Sequence, residues 1–81
     1  DIAGDLTLSA GADGALTFGA ASSIKIVDNQ AASLVIEQAD VAYMTFTTTN
    51  SSELITANKG FNAAGAFQIG GTAVINNSRN R

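Results

Sequence analysis

Pairs of large apolar residues, two positions apart, recur along this chain every eight to ten residues and constrain its fold more than any other feature. A polar residue often separates the two members, as in Leu6-Thr7-Leu8 and at Lys25. Because successive side chains of a strand point to opposite faces, each pair predicts a short strand with one apolar face. The residues of the series are Leu6, Leu8, Leu16, Phe18, Ile24, Ile26, Leu34, Ile36, Met44 and Phe46, and Leu54 continues it.

Residues typical of turns separate these pairs, at 11–14, 19, 28–30, 38–40 and 49–52. Gly, Asn and Asp tolerate positive φ, and the short polar side chains bond to the backbone of a turn. Alanines at 20–21, 31–32 and 63–64 are not followed by apolar residues at helical spacing, so no helix is expected there. Short strands at regular spacing with such turns predict an all-β fold.

The pattern loosens after Lys59, where Phe67 and Ile69 precede a Gly70-Gly71 turn and a further strand is expected over 72–75. We interpret residues 1–81 as a single segment, with a first strand pair at 1–20, a central repeat at 21–59 and a C-terminal junction at 60–81. The chain begins at Asp1 and not at Met, so we interpret it as a fragment of a longer protein.

Self-association is the form of stabilisation that the composition favours. A chain of 81 residues without Cys or His has no disulfides and only oxygen ligands for a metal. Each predicted strand offers only two inward side chains, which is a thin layer for a lone chain. Three chains around one axis would place six apolar side chains in each layer. We therefore predict an elongated fibre segment, a trimeric intertwined β-prism or β-helix, whose core and trimer interface contain the eleven residues of the series together with Phe67 and Ile69.

Three segments of the chain resemble the fibre-like structural proteins of bacteriophages, in particular marine phages. They are the opening segment 1–8, the central runs 23–36 and 43–53, and the ending 69–80, in the order usual for such proteins. The chain departs from that pattern at 9–12, where acidic repeats often follow. The resemblance implies a homotrimeric virion or tail-fibre segment, extracellular once assembled, that contacts other virion proteins and a host surface glycan or protein. It implies no catalytic residue.

The charge pattern disfavours two other classes of partner. The formal net charge is −3 with 14% charged residues, and the four cations are scattered, whereas nucleic-acid binding requires basic stripes. No apolar run of about twenty residues is present to enter a bilayer. We expect no cofactor.

Several polar residues suggest sites, but each has a simpler interpretation. Asp13 is similar to one turn of a calcium-binding β-roll, yet the motif is not repeated. Glu37 and Asp40 are a carboxylate pair without Trp, His or Arg nearby to shape a sugar pocket. The sequons at 50–52 and 76–78 arise by chance in a chain rich in Ser and Asn. No Ser has a His to activate it, so we expect no enzymatic activity.

The threonine cluster and Tyr43 each have two interpretations. The threonines at 45 and 47–49 would form an ice-binding array only if the cluster recurred on successive coils. The cluster occurs once, so the simpler interpretation is that these threonines lie on the outer face of a strand. Tyr43 is expected on the face opposite Met44 and Phe46, where it packs between chains or contacts glycan. A carbohydrate-binding or adhesive module with a shallow site near Tyr43 is therefore the alternative function.

Overall fold

The computed structural model describes residues 3–9, 11 and 14–75, and over these residues the chain forms five strands and no helix. The prediction of an all-β fold is confirmed for this part of the chain. The predicted turn Asp13 and the end of the C-terminal junction, 76–81, lie outside the described residues. The strands are β1 Leu34–Gln38, β2 Val41–Thr47, β3 Leu54–Ala57, β4 Phe67–Ile69 and β5 Thr72–Ile75.

The strands form two small antiparallel sheets, one with the order β1-β2-β3 and one with β4-β5. Ala39 and Asp40 join β1 to β2 with φ of 49° and 66°, and Gly70 and Gly71 join β4 to β5 with φ of 57° and 84°. Two consecutive positive φ values are the geometry of the type I′ turn, which matches the twist of paired strands. The predicted turns at 38–40 and at Gly70-Gly71 are confirmed.

The register of the three-stranded sheet decides which side chains share a face. Phe46 lies opposite Leu34 on one side and Ile55 on the other. Leu54 lies opposite Thr47, so it points to the other face. The sequence series placed Leu54 with Met44 and Phe46, and the structure puts Ile55 there instead.

Three of the expected strands are not formed. The segments around Leu6 and Leu8, around Leu16 and Phe18, and around Ile24 and Ile26 are described without strand structure. A strand requires a neighbouring backbone that takes up its hydrogen bonds, and within this single chain these segments pair with none of β1–β5. Correct alternation is therefore not sufficient for a strand.

No residue in the described part of the chain is buried. The chain exposes 7168 Å², whereas a compact monomer of 8.2 kDa exposes about 4,500 Å². Its radius of gyration is 16.6 Å, compared with about 12 Å for a compact domain of this length. The sheets are ordered by their ladders and turns without an enclosed core. No helix able to span a bilayer occurs among residues 3–9, 11 and 14–75.

Candidate interface: an uncovered apolar sheet face

Where all three strands pair, one face of the three-stranded sheet consists of apolar side chains. Directly opposed residues of neighbouring strands project to the same face, and the register therefore forms two rows across the sheet. One row is Leu34, Phe46 and Ile55, and the other is Ile36, Met44 and Ala57. We call these six residues the apolar face.

No other part of the chain that the structure describes buries the apolar face. Leu34, Met44 and Phe46 are half-exposed, and Ile36 and Ile55 are exposed, with Ile55 retaining 68% of its accessible surface. Full burial of a Leu, Ile, Met or Phe side chain contributes about 1.5–3 kcal/mol. A contiguous apolar surface of this kind marks an interaction site in a soluble protein.

A cavity of about 350 Å³ adjoins the apolar face at its β3 end. Its lining combines Met44, Ile55 and Ala57 of the face with Phe61 and Phe67. Phe61 and Phe67 are both exposed, so the cavity opens to solvent. The small side chain of Ala57 leaves room beside the edge strand, and the aromatic rings extend the apolar surface beyond the sheet.

The opposite face carries mainly threonines. Thr45 lies between Val35 and Thr56 in one row, and Thr47 lies opposite Leu54. The Thr45 hydroxyl donates a hydrogen bond of 2.7 Å to Oδ1 of Asn58. The opposite face therefore combines three threonines with Val35 and Leu54, and it is more polar than the apolar face.

Thr48, directly after β2, fixes the preceding loop against the sheet. Its N–H donates to the carbonyl of Gln30 at 2.8 Å, and its carbonyl accepts from the N–H of Asn29 at 3.1 Å. The Thr48 hydroxyl donates to the carbonyl of Val27 at 2.7 Å and accepts from the N–H of Gln30 at 3.0 Å. We call this set of four bonds the Thr48 junction.

Asn29 completes the Thr48 junction through its conformation and its side chain. Its φ is 58°, a left-handed conformation that Asn adopts more readily than most residues. Its Oδ1 accepts a hydrogen bond of 3.1 Å from the N–H of Asn50. Sequence reasoning placed a turn at 28–30 but assigned Thr48 only to a solvent-facing cluster. No local pattern connects residues about twenty positions apart, so no sequence signal pointed to this role.

The structure brings together some of the predicted interface residues and not others. Leu34, Ile36, Met44 and Phe46 share the apolar face, and Phe67 lies at the adjoining cavity. Ile69, on β4, is exposed. The N-terminal members of the series are outside the sheets, namely Leu6, Leu8, Leu16, Phe18, Ile24 and Ile26.

The sequence analysis did not assign Ile55, Ala57 or Phe61 to the interface. Leu54 and Ile55 are adjacent apolar residues, so the period of two could begin at either. A shift of one residue moves a strand's apolar residues to the other face. The pairing with β2 resolves this ambiguity.

The acidic side chains of Glu37 and Asp40 are both exposed. Glu37 is at the end of β1 and Asp40 in the following turn. Among residues 3–9, 11 and 14–75, no three acidic side chains form a group able to hold a metal ion. Tyr43 is the extra residue of a β-bulge opposite Ile36 and Glu37, and it is 49% exposed.

Comparison with other proteins gives no assignment: no family model, curated protein or solved structure matches the chain. The apolar face is therefore the structural feature that bears most directly on function.

Proposed function

We propose that this chain is a structural segment of a virion fibre, a homotrimeric β shaft that spaces or presents a receptor-binding region. The observation that carries the proposal is the apolar face, which lies uncovered in a chain where no described residue is buried. A segment of this kind acts mechanically, because several identical chains that share one interior resist unfolding and proteolysis together.

The amount of exposed surface supports an assembly in which each chain contacts two others. The chain exposes roughly 2,600 Å² more than a compact monomer of its mass. Obligate interfaces bury about 2,000 Å² or more in total, or about 1,000 Å² on each partner. A subunit with two neighbours in a ring would therefore bury about 2,000 Å², which the surplus supplies.

The virion setting rests on the resemblance of segments 1–8, 23–36, 43–53 and 69–80 to phage fibre proteins. The polar opposite face and the scarcity of charge are compatible with a shaft whose outer surface is mostly hydroxyl groups. The within-chain meander of β1–β3 supports layers built from each subunit's own hairpins.

Sedimentation equilibrium of the purified chain at micromolar concentration tests the proposal. We expect a particle of three times the 8.2 kDa chain mass. Sedimentation velocity should give the high frictional ratio of an elongated shape, and negative-stain images should show short rods. A monomer that unfolds cooperatively, or a compact particle of any other order, would refute the trimeric shaft.

Glycan binding near Tyr43 is the second candidate, and the β-bulge is the observation that favours it. Bulges redirect side chains and occur next to functional sites, and this bulge leaves the Tyr43 ring half-exposed. A glycan array with the wild type and Tyr43→Ala tests it. Binding that is lost in Tyr43→Ala but retained in Tyr43→Phe supports a glycan site, and equal binding by all three refutes it.

A further inference from the structure

The two edges of the three-stranded sheet differ in their protection against pairing with another chain. The β1 edge contains the charged Glu37, and the ladder that joins β1 to β2 shifts between Ile36 and Glu37 at a bulge whose extra residue is Tyr43 of β2. The β3 edge, Leu54–Ala57, contains no charge and no Pro, and its pairing with β2 runs without a shift. Charges, prolines and bulges are the usual means of blocking an edge. The β1 edge has a charge and an irregular ladder, and the β3 edge has neither.

One hydrogen bond directly after β3 shows which backbone N–H and C=O groups of β3 face away from β2. The N–H of Asn58 donates to the carbonyl of Tyr43 at 2.9 Å. Because backbone groups alternate in direction along an antiparallel strand, the groups of Leu54 and Thr56 also face β2. Those of Ile55 and Ala57 point to the β3 edge, which has no strand partner in the described chain.

The segment 15–18 has the composition of a strand that fits this edge. It has four residues, as β3 does, and no charge, and it alternates Leu16-Thr17-Phe18 where β3 has Ile55-Thr56-Ala57. Leu16 and Phe18 retain 64% and 52% of their accessible surface in the single chain. They have the alternation of a strand without a backbone partner.

We propose that residues 15–18 of a second copy of this chain add as a fourth strand to the β3 edge. Leu16 and Phe18 then extend the two rows of the apolar face beside Ile55 and Ala57, which both line the apolar cavity of about 350 Å³. Thr17 falls beside Thr56 on the polar face whether the added strand runs parallel or antiparallel. The inference rests on the proposed self-assembly and names the contact that holds neighbouring subunits.

The donor segment can reach a neighbouring subunit. The Thr48 junction holds its own chain from Val27 onward. Residues 19–26 lie between Phe18 and that anchor, and eight extended residues span up to about 26–29 Å. This reach is several times the spacing of about 4.8 Å between neighbouring strands, so the linker does not confine residues 15–18 to their own sheet.

Cysteine cross-linking tests the contact on a chain that has no native Cys. Thr17→Cys chains are mixed with Thr56→Cys chains, allowed to exchange and oxidised with diamide. The matched control is Thr17→Cys mixed with Val35→Cys, because Val35 lies in the same row and on the same face at the β1 edge. We expect a disulfide-linked heterodimer with Thr56→Cys at a yield at least several-fold above that with Val35→Cys.

Equal or greater linkage at Val35 would overturn the proposal. So would a double variant Thr17→Cys/Thr56→Cys that forms its disulfide within one chain at high dilution. A second pair of variants tests the backbone: Ala57→Pro removes the outward N–H and should weaken assembly at least tenfold relative to Ala57→Ser. Equal assembly by the two variants would count against edge pairing.

The outcomes separate this inference from the proposed function. If the wild-type chain sediments as a trimer and the Thr17–Thr56 linkage fails, the edge contact is wrong and the trimeric shaft stands. If the wild-type chain is a folded monomer, the trimeric shaft is wrong, and with it the contact between copies.

Discussion

Adjacent residues Leu54 and Ile55 provide the sharpest test of the apolar face. Both are exposed in the single chain, at 62% and 68%, but the register places Ile55 with Phe46 and Leu54 with Thr47. We therefore compare Ile55→Thr with Leu54→Thr. Threonine is β-branched and suits a strand, so the comparison measures the loss of apolar surface at each face.

The expected magnitude follows from the exposure of Ile55. Full burial of an Ile side chain contributes about 1.5–3 kcal/mol, and about two thirds of the Ile55 surface is exposed and would be covered in the proposed trimer. Ile55→Thr should therefore cost about 1–2 kcal/mol per chain, or about 3–6 kcal/mol for three chains. Since 1.4 kcal/mol is a factor of ten, the trimer dissociation constant should rise about 10²–10⁴-fold.

Leu54→Thr should change the same constant by less than about tenfold, because surface substitutions away from an interface are usually within 0.5 kcal/mol per chain. Sedimentation equilibrium over a range of concentrations measures both variants, with circular dichroism to check that strand content is retained. If Leu54→Thr weakens assembly as much as Ile55→Thr, the polarity assigned to the two faces is wrong.

Three further outcomes are expected. Thr48→Val, which removes the hydroxyl bonds of the half-exposed Thr48 to Val27 and Gln30, should cost about 1 kcal/mol and speed hydrogen exchange at the Asn29 amide about fivefold, whereas Thr48→Ser should not. Unchanged exchange in Thr48→Val would contradict the role of the junction. Ala39→Asn should stabilise the folded chain by about 0.5–1 kcal/mol and so raise the midpoint of thermal unfolding, because Asn adopts positive φ more readily than Ala. A lower midpoint would argue against the turn geometry at φ 49°. Raising NaCl from 0.1 to 1 M should leave the assembly intact, because an apolar interface is not screened by salt; dissociation would indicate that ion pairs hold it.

Sequence patterning alone was sufficient for the central and C-terminal strands. The alternation around Leu34, Met44 and Phe67 predicted β1, β2 and β4, because a period of two has only one regular backbone that puts its apolar residues on one side. Gly70-Gly71 predicted the second hairpin, because positive φ at two consecutive positions is easy only for such residues. Four of the six residues of the apolar face were also predictable in this way.

The tertiary structure decided everything that depends on a partner strand or a distant residue. The segments at Leu6–Leu8, Leu16–Phe18 and Ile24–Ile26 have the same alternation as β1, yet none of the strands β1–β5 pairs with them. Pairing with β2 placed Ile55 and not Leu54 on the apolar face, because register is a relation between two strands. The Thr48 junction likewise joins residues far apart in sequence. Alternation is a local property, and pairing is not.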